Sequence, residues 1–155
     1  MKKFIIGCDN AAVPLKTALK EMLLSMGAEV EDIGCYTSDD PEVYPMVAKR
    51  LCEKIIESNY EKYGILVCGT GLGMCMVANK FPGIRAGVCH DAFSAERLAL
   101  SNDGNVICFG ERVIGTELAK KCLQIWIGLT FKDGSSTPKV QAIKQIETET
   151  MRKVV

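Results

Sequence analysis

Histidine is nearly missing from this chain: His90 is the only one in 155 residues. Cysteine is not scarce, at eight, but no two stand in Cys-x-x-Cys spacing. The clustered thiol and imidazole ligands of a structural zinc site are therefore absent, and no metal is expected. Surplus charge is missing as well. Lys+Arg and Asp+Glu both number 19, for a formal net charge of zero. That removes the electrostatic reason to expect nucleic acid or a membrane surface as partner. No apolar run approaches the roughly 20 residues of a membrane-spanning helix. The N-terminus, from Met1 to Cys8, has a basic pair and only a brief apolar stretch before Asp9, and reads as a first strand rather than a signal peptide. Low-complexity segments, repeats and linkers are lacking too.

What is present suits one domain, residues 1–155, with a sizeable core: 48% of the residues are hydrophobic. Cys8, Cys68, Cys89 and Cys108 lie in or at the end of apolar strand-like runs, and Cys75 and Cys122 in helical ones. Most read as small buried hydrophobes of a cytoplasmic protein in a reducing compartment.

Strand and helix patterns alternate from end to end. Strands are expected at Lys3–Cys8, Glu29–Ile33, Gly64–Cys68, Arg85–Cys89 and Asn105–Phe109. Helices are expected from Pro14 to Met26, Glu42 to Ser58, Leu72 to Lys80, Ala92 to Ser101, Thr116 to Ile127, and Pro138 to about Met151. This order predicts an α/β fold: a Rossmann-like three-layer sandwich with a five-stranded, mainly parallel sheet and a C-terminal helix. Strands apolar throughout, such as Ile65-Leu-Val67, fit a sheet covered on both faces. In such folds ligands bind beyond the carboxyl ends of the strands. Asp9-Asn10, Cys68-Gly-Thr-Gly71, His90-Asp91 and Glu111-Arg112 all fall there.

Cys68 carries the most information. It ends a strand and heads Gly69-Thr-Gly-Leu-Gly73, after which a helix pattern begins. Free backbone N–H groups and the helix dipole favour negative charge at such a point. The setting can lower a thiol pKa and hold a developing oxyanion. The loop is neither a dinucleotide fingerprint nor a Walker A loop. A plain reading makes it a tight turn, but the cysteine at its head, at the ligand edge, favours function. Asp9, after the first strand, is likewise read as functional rather than as a turn cap, with Asn10 weaker. Asp91 reads as the N-cap of the helix at Ala92, with a structural His90. Ser101-Asn102-Asp103-Gly104 reads on its own residues as a helix exit and turn. Arg112 is open between a solvated arginine and an anion ligand.

These segments together resemble the family of type B ribose-5-phosphate isomerases and galactose-6-phosphate isomerases. The matching stretches are Ile6-Gly-Cys-Asp9, Tyr44-Pro45, Val67-Cys-Gly-Thr-Gly-Leu-Gly73, Ala78-Asn-Lys80 with Pro82-Gly-Ile-Arg85-Ala86, Cys89-His-Asp91, Ser94-Ala95, Asn102-Asp103 and Gly110-Glu-Arg112-Val-Ile-Gly115. The resemblance implies a metal-free aldose–ketose isomerase of sugar phosphates, of the ribose 5-phosphate/ribulose 5-phosphate type, with no cofactor. It also implies a homodimer or homotetramer whose sites use residues of two subunits. Cys68 matches the base that moves a proton between C1 and C2 through a cis-enediolate. Thr70 and the backbone N–H groups from Gly69 to Gly73, those of Gly71 and Leu72 among them, match the enediolate cradle. Asp9, Tyr44 and Asn102 match contacts to sugar hydroxyls, and Arg112 a contact to phosphate.

Three departures stand out. Asn10 follows the first-strand aspartate where family members carry histidine. Ser101 replaces the histidine credited with opening the furanose ring. Ser135 and Lys139 fall where two arginines hold the phosphate, and lysine meets a phosphate as a point charge without bidentate geometry. Serine is a poor proton shuttle at neutral pH. A tetrose 4-phosphate cannot close a furanose ring, because its O4 carries the phosphate, and so needs no ring-opening group. The sequence therefore raises a four-carbon substrate such as erythrulose 4-phosphate as the alternative. His90 as a substitute ring opener, and a non-catalytic sugar-phosphate-binding subunit, are the other readings.

Overall fold

A computed structural model describes residues 1–151; residues 152–155, the tail of the expected domain, lie outside the described residues. Five strands form one sheet: β1 (Lys3–Cys8), β2 (Glu29–Asp32), β3 (Lys62–Cys68), β4 (Ala86–Val88) and β5 (Val106–Gly110). Their order is β2-β1-β3-β5-β4, and every pairing is parallel, so the expected "mainly parallel" sheet is parallel throughout. The central strands are buried on both faces, as their unbroken apolar runs require.

Six helices accompany the strands: α1 (Val13–Ser25), α2 (Tyr44–Glu57), α3 (Leu72–Ala78), α4 (Ala92–Leu100), α5 (Thr116–Ile127) and α6 (Thr137–Thr150). α1 and α4 both pack on α5, while α2 and α3 pack together on the other side. From β1 the chain steps outward to β2 through α1, then crosses back over β1 to β3 through α2. The winding direction reverses between β1 and β3, which makes the cleft at their carboxyl ends the switch point. Asp9 leaves β1 there and Cys68 ends β3. Cys8 pairs in register with Val67, and the Asp9 N–H donates to the Val67 carbonyl at 3.2 Å.

The boundaries moved where side chains compete with the ladder or the helix. α3 stops at Ala78 rather than Lys80, because the Asn79 amide turns to the Ala86 backbone: the Ala86 N–H donates to Asn79 Oδ1 at 2.8 Å and Asn79 Nδ2 to the Ala86 carbonyl at 2.9 Å. α2 starts at Tyr44, with Pro45 in its first turn, and Glu42 stays outside to meet Arg50. α6 buries only Val140 of its side chains. It is tied down by the Gly83 N–H on Glu147, at 2.8 Å. Among the described residues no helix is long and apolar enough to cross a membrane.

Candidate active site

The turn after β3 is built by backbone fit. Gly71 is the N-cap of α3 with φ +79°, and a Cβ on it would lie 2.9 Å from the Phe109 carbonyl carbon. A Cβ on Gly110 would come within 2.7 Å of the Thr70 backbone. The turn thus lies directly against the end of β5, and only glycine fits either position. The Glu111 N–H donates to the Cys68 carbonyl at 2.9 Å and the Arg112 N–H to the Gly69 carbonyl at 3.0 Å, sewing the two loops together. Within this turn the Gly71 N–H points at Cys68 Sγ, 3.1 Å away, and Cys68 is only 4% exposed. A donor aimed at the sulfur adds to the positive end of α3.

Two of the N–H groups expected to form an anion cradle are therefore already engaged. Gly71 serves the sulfur, and Leu72 donates to Thr70 Oγ1 at 3.3 Å. The N–H groups of Gly73 and Met74 open α3, where a helix has no earlier carbonyl to offer them. The Thr70 hydroxyl keeps its own proton to donate.

Other side chains converge from neighbouring loops. A Cβ on Gly69 would lie 3.4 Å from Arg112 Nη1, so the guanidinium covers this glycine. A Cβ on Gly73 would collide with the Tyr44 ring at 2.5 Å, so Gly73 exists to admit Tyr44. Asp9, Asn10, Glu42 and Tyr44 line an open cleft of about 300 Å3. Asp9 Oδ1 accepts the Ala11 N–H at 3.0 Å. Burial raises the Asp9 pKa; the Ala11 N–H and the Arg112 charge oppose that rise. Two residues to which the sequence assigned no role, Glu111 and Lys16, hold this edge in place. Glu111 Oε2 accepts the Leu15 N–H at 2.9 Å and so caps α1, which has no cap of its own. Lys16, buried among the apolar residues of α1, pairs with Asp32 at 2.9 Å and donates to the Cys35 carbonyl at 2.6 Å. A lysine at an apolar helical position was the one available sign of it.

His90 is structural in its contacts. Its Nε2 accepts the Gly110 N–H at 2.9 Å, its ring stacks on Phe109, and burial lowers its pKa. Asp91 is the N-cap of α4, as expected, accepting the Ser94 N–H at 2.7 Å. Ser101 and Asn102 follow α4, which runs back against the strand direction, so they sit at the opposite edge of the sheet. A strand the length of β5 spans roughly 16 Å at 3.3 Å per residue. Lys139 is exposed in the first turn of α6 and Ser135 lies just before that helix, whose later residues meet the opposite edge, Lys144 lying 3.7 Å from Asp103. The opposite edge holds a cavity of about 330 Å3, but its polar groups bond one another: Arg85 pairs with Asp103 at 2.9 Å and Asn105 holds the Arg85 and Gly83 backbone.

All eight cysteines are free thiols, and seven are buried, as expected. Burial pushes Cys8, Cys52 and Cys89 up to about 12. Cys75 is the exception, half-buried and held by donors. The Cys108 S–H foremost, then the Val88 N–H and the Asn79 amide, outweigh burial and bring it down to about 7. Cys35, Asp40 and Glu42 bring ligand atoms within 4.8 Å of one another. This set does not suit a cation, because Arg50 already neutralises Glu42 at 3.1 Å and burial, with the two carboxylates, lifts Cys35 to about 11.

The family model described as Ribose/Galactose Isomerase matches residues 4–143. The chain is 44% identical over 147 residues to the D-erythrulose-4-phosphate isomerase of Pectobacterium atrosepticum, covering 95% of this chain and 96% of that one. It is 40% identical over 147 residues to the ribose-5-phosphate isomerase B of Escherichia coli, covering 95% and 97%. The solved structure of Clostridium thermocellum ribose-5-phosphate isomerase B superimposes with a TM-score of 0.89 at 35% identity, covering 95% of this chain and 98% of that one. With its parallel sheet, its thiol at the switch point and these likenesses over nearly the whole chain, this protein belongs to the ribose/galactose isomerase family and is a sugar-phosphate isomerase.

Proposed function

We propose that the protein interconverts an aldose phosphate and a ketose phosphate with Cys68 as the base, without metal or cofactor. The observation that carries this reading is the Cys68 sulfur at the β1/β3 switch point with the Gly71 N–H upon it. The thiolate takes a proton from C2 of the open-chain aldose, or from C1 of the ketose, and returns it to the neighbouring carbon. Charge that develops on the enediolate oxygens falls to the Gly73 and Met74 N–H groups and the Thr70 hydroxyl. Asp9 and Tyr44 hold sugar hydroxyls at the cleft, with Asn10 beside them, and Arg112 meets the phosphate.

Asn102 and Lys139 belong to the same site when a second copy of the chain supplies them, Ser101 arriving with them. Two observations support a homodimer with shared sites. Ser101 and Asn102 stand at the edge away from Cys68, and Leu72 and Met76 of α3 and Phe93 at the head of α4 are 54%, 66% and 70% exposed. Leu72 and Met76 lie one helical turn apart on one face of α3, and large apolar side chains left in the open on one face mark an interaction surface.

The substrate we favour is a four-carbon sugar phosphate such as erythrulose 4-phosphate. Ser101 offers no group that titrates near neutral pH, and His90 has its Nε2 engaged by Gly110. The Pectobacterium relative named for this substrate supports the choice; the Escherichia relative supports ribose 5-phosphate as the second reading. The test is kcat/KM on both substrates, for the wild type and Cys68→Ala. The four-carbon substrate is expected to be preferred, and Cys68→Ala to lose about 10²- to 10⁴-fold in kcat. Preference for ribose 5-phosphate would restore the five-carbon reading, and full activity of Cys68→Ala would remove the base.

A further inference from the structure

We propose that Arg85 is a positioning residue for the isomerase reaction: it sets the turn that carries Asn102 toward the Cys68 site of a second copy, a role that rests on the shared site proposed above. Asn102 is exposed just beyond α4, and Asp103 after it has φ +49°. That left-handed conformation is unfavourable for a residue with a Cβ and needs a neighbour to hold it. Arg85 does so from the amino end of β4. Its Nε donates to the Asp103 carbonyl at 2.7 Å and its Nη2 to Asp103 Oδ2 at 2.9 Å. One planar guanidinium thus grips the main chain and the side chain of a single residue, which a lysine cannot do. The Arg85 backbone continues the brace. Its N–H donates to Asn105 Oδ1 at 2.8 Å, and its carbonyl accepts the Asn105 N–H at 3.0 Å. On the other side α4 anchors the turn: the Asn102 N–H donates to the Arg97 carbonyl at 3.2 Å and the Gly104 N–H to the Leu98 carbonyl at 2.8 Å.

The same corner holds α6, the helix of Lys139. Lys144 lies 3.7 Å from the Asp103 carboxylate, and the Gly83 N–H donates to Glu147 at 2.8 Å. Segment 83–85 therefore ties the Asn102 turn and α6 into one unit. The charges along the neighbouring cavity, Arg85, Asp103 and Lys144, are spent on one another, which suits a brace rather than a ligand site. An ion pair alone would need only the Asp103 side chain. The bond from Nε to the Asp103 carbonyl fixes the next peptide as well, and with it the direction of the turn. A hydrogen bond to a sugar hydroxyl tolerates little displacement, and misplacement by about 1 Å can cost as much as 10²-fold in rate. Loss of Arg85 should therefore damage the site to which a chain donates Asn102. It should spare the site that the chain builds around its own Cys68, which lies at the far end of the strands.

The test assays Arg85→Ala and Arg85→Lys alone and refolded in equal amounts with Cys68→Ala or Asn102→Ala. Alone, both Arg85 variants are expected to lose about 10- to 10²-fold in kcat/KM, because lysine restores the charge but not the two-point grip. Mixed with Cys68→Ala, Arg85→Ala should recover activity to about a quarter of wild type, since each mixed dimer has one site with an intact Cys68 facing an intact Asn102 turn. Mixed with Asn102→Ala, it should stay at the sum of the two parents, because both substitutions damage the same donated half. A substitution that only destabilised the fold would leave the mixed dimers with Asn102→Ala active, and recovery in that mixture would overturn the proposal. Wild-type kcat/KM in either Arg85 variant, or recovery of a folded variant with neither partner, would overturn it too. Should Arg85→Ala fail to fold, Arg85→Lys takes its place in the mixtures. The mixture of Cys68→Ala with Asn102→Ala separates the two readings. If it does not recover, the shared site fails and the role of Arg85 with it. If it recovers and Arg85→Ala also rescues Asn102→Ala, the role of Arg85 alone fails.

Discussion

Asp9 works against the fold that holds it. Burial raises its pKa above the value of about 3.9 that it has in an unfolded chain. A group whose folded pKa is raised adds stability only below its unfolded pKa and loses it as pH rises through the folded one. At neutral pH the Asp9 carboxylate is therefore a net burden on stability, as fits the role in binding sugar hydroxyls proposed for it. Asp9→Asn keeps an oxygen for the Ala11 N–H. It is expected to hold or raise the melting temperature at pH 7 while lowering kcat/KM. A melting temperature lower by several degrees would contradict this account of the residue. The place of Asp9 at the cleft was legible in the sequence, because in α/β folds ligand clefts lie beyond the carboxyl ends of the strands. Glu111, Lys16 and Cys75 were not, because their partners are tertiary. The Glu111 carboxylate meets the Leu15 N–H across 96 positions, and the edge of β4 that makes Cys75 unusual exists only once the strand order is known.

The element that decides the site is the turn from β3 into α3. Its existence followed from an apolar run meeting alternate glycines, but periodicity could not tell which glycine takes the left-handed conformation. It is Gly71, at φ +79° and pressed against the Phe109 carbonyl. Gly71→Ala is expected to cost about 2 kcal/mol or more, from the strain of a Cβ at positive φ added to that contact. Its kcat should fall as well at temperatures where the variant is folded, because the N–H on Cys68 moves. Gly134→Ala has open space around it and is expected to stay within about 0.5 kcal/mol of wild type. Chemical denaturation of both variants, with kcat measured below their transitions, checks the pair. Equal stability of the two would contradict the fit described for the turn. The slips at α2 and α3 have the same origin: Glu42 and Asn79 carry helix-compatible patterns, but Arg50 and the edge of β4 claim their side chains.

At the scale of the whole molecule, one chain presents half of the expected site. Cys68, Thr70, Asp9, Asn10, Tyr44 and Arg112 gather at the carboxyl edge of the sheet, while Ser101 and Asn102 stand at the opposite edge. Motif matching named both groups but carried no information about which edge each would occupy. Strand order and the direction of α4 supply it. If two copies exchange these residues, damage to Cys68 and damage to Asn102 can be complemented by mixing subunits. Cys68→Ala and Asn102→Ala are refolded together in equal amounts and assayed with the preferred sugar phosphate. Half of the dimers are then mixed, and each mixed dimer has one intact site of two, so activity should recover to about a quarter of wild type. A mixture no more active than the sum of its two parents would contradict a Cys68-centred site shared between subunits.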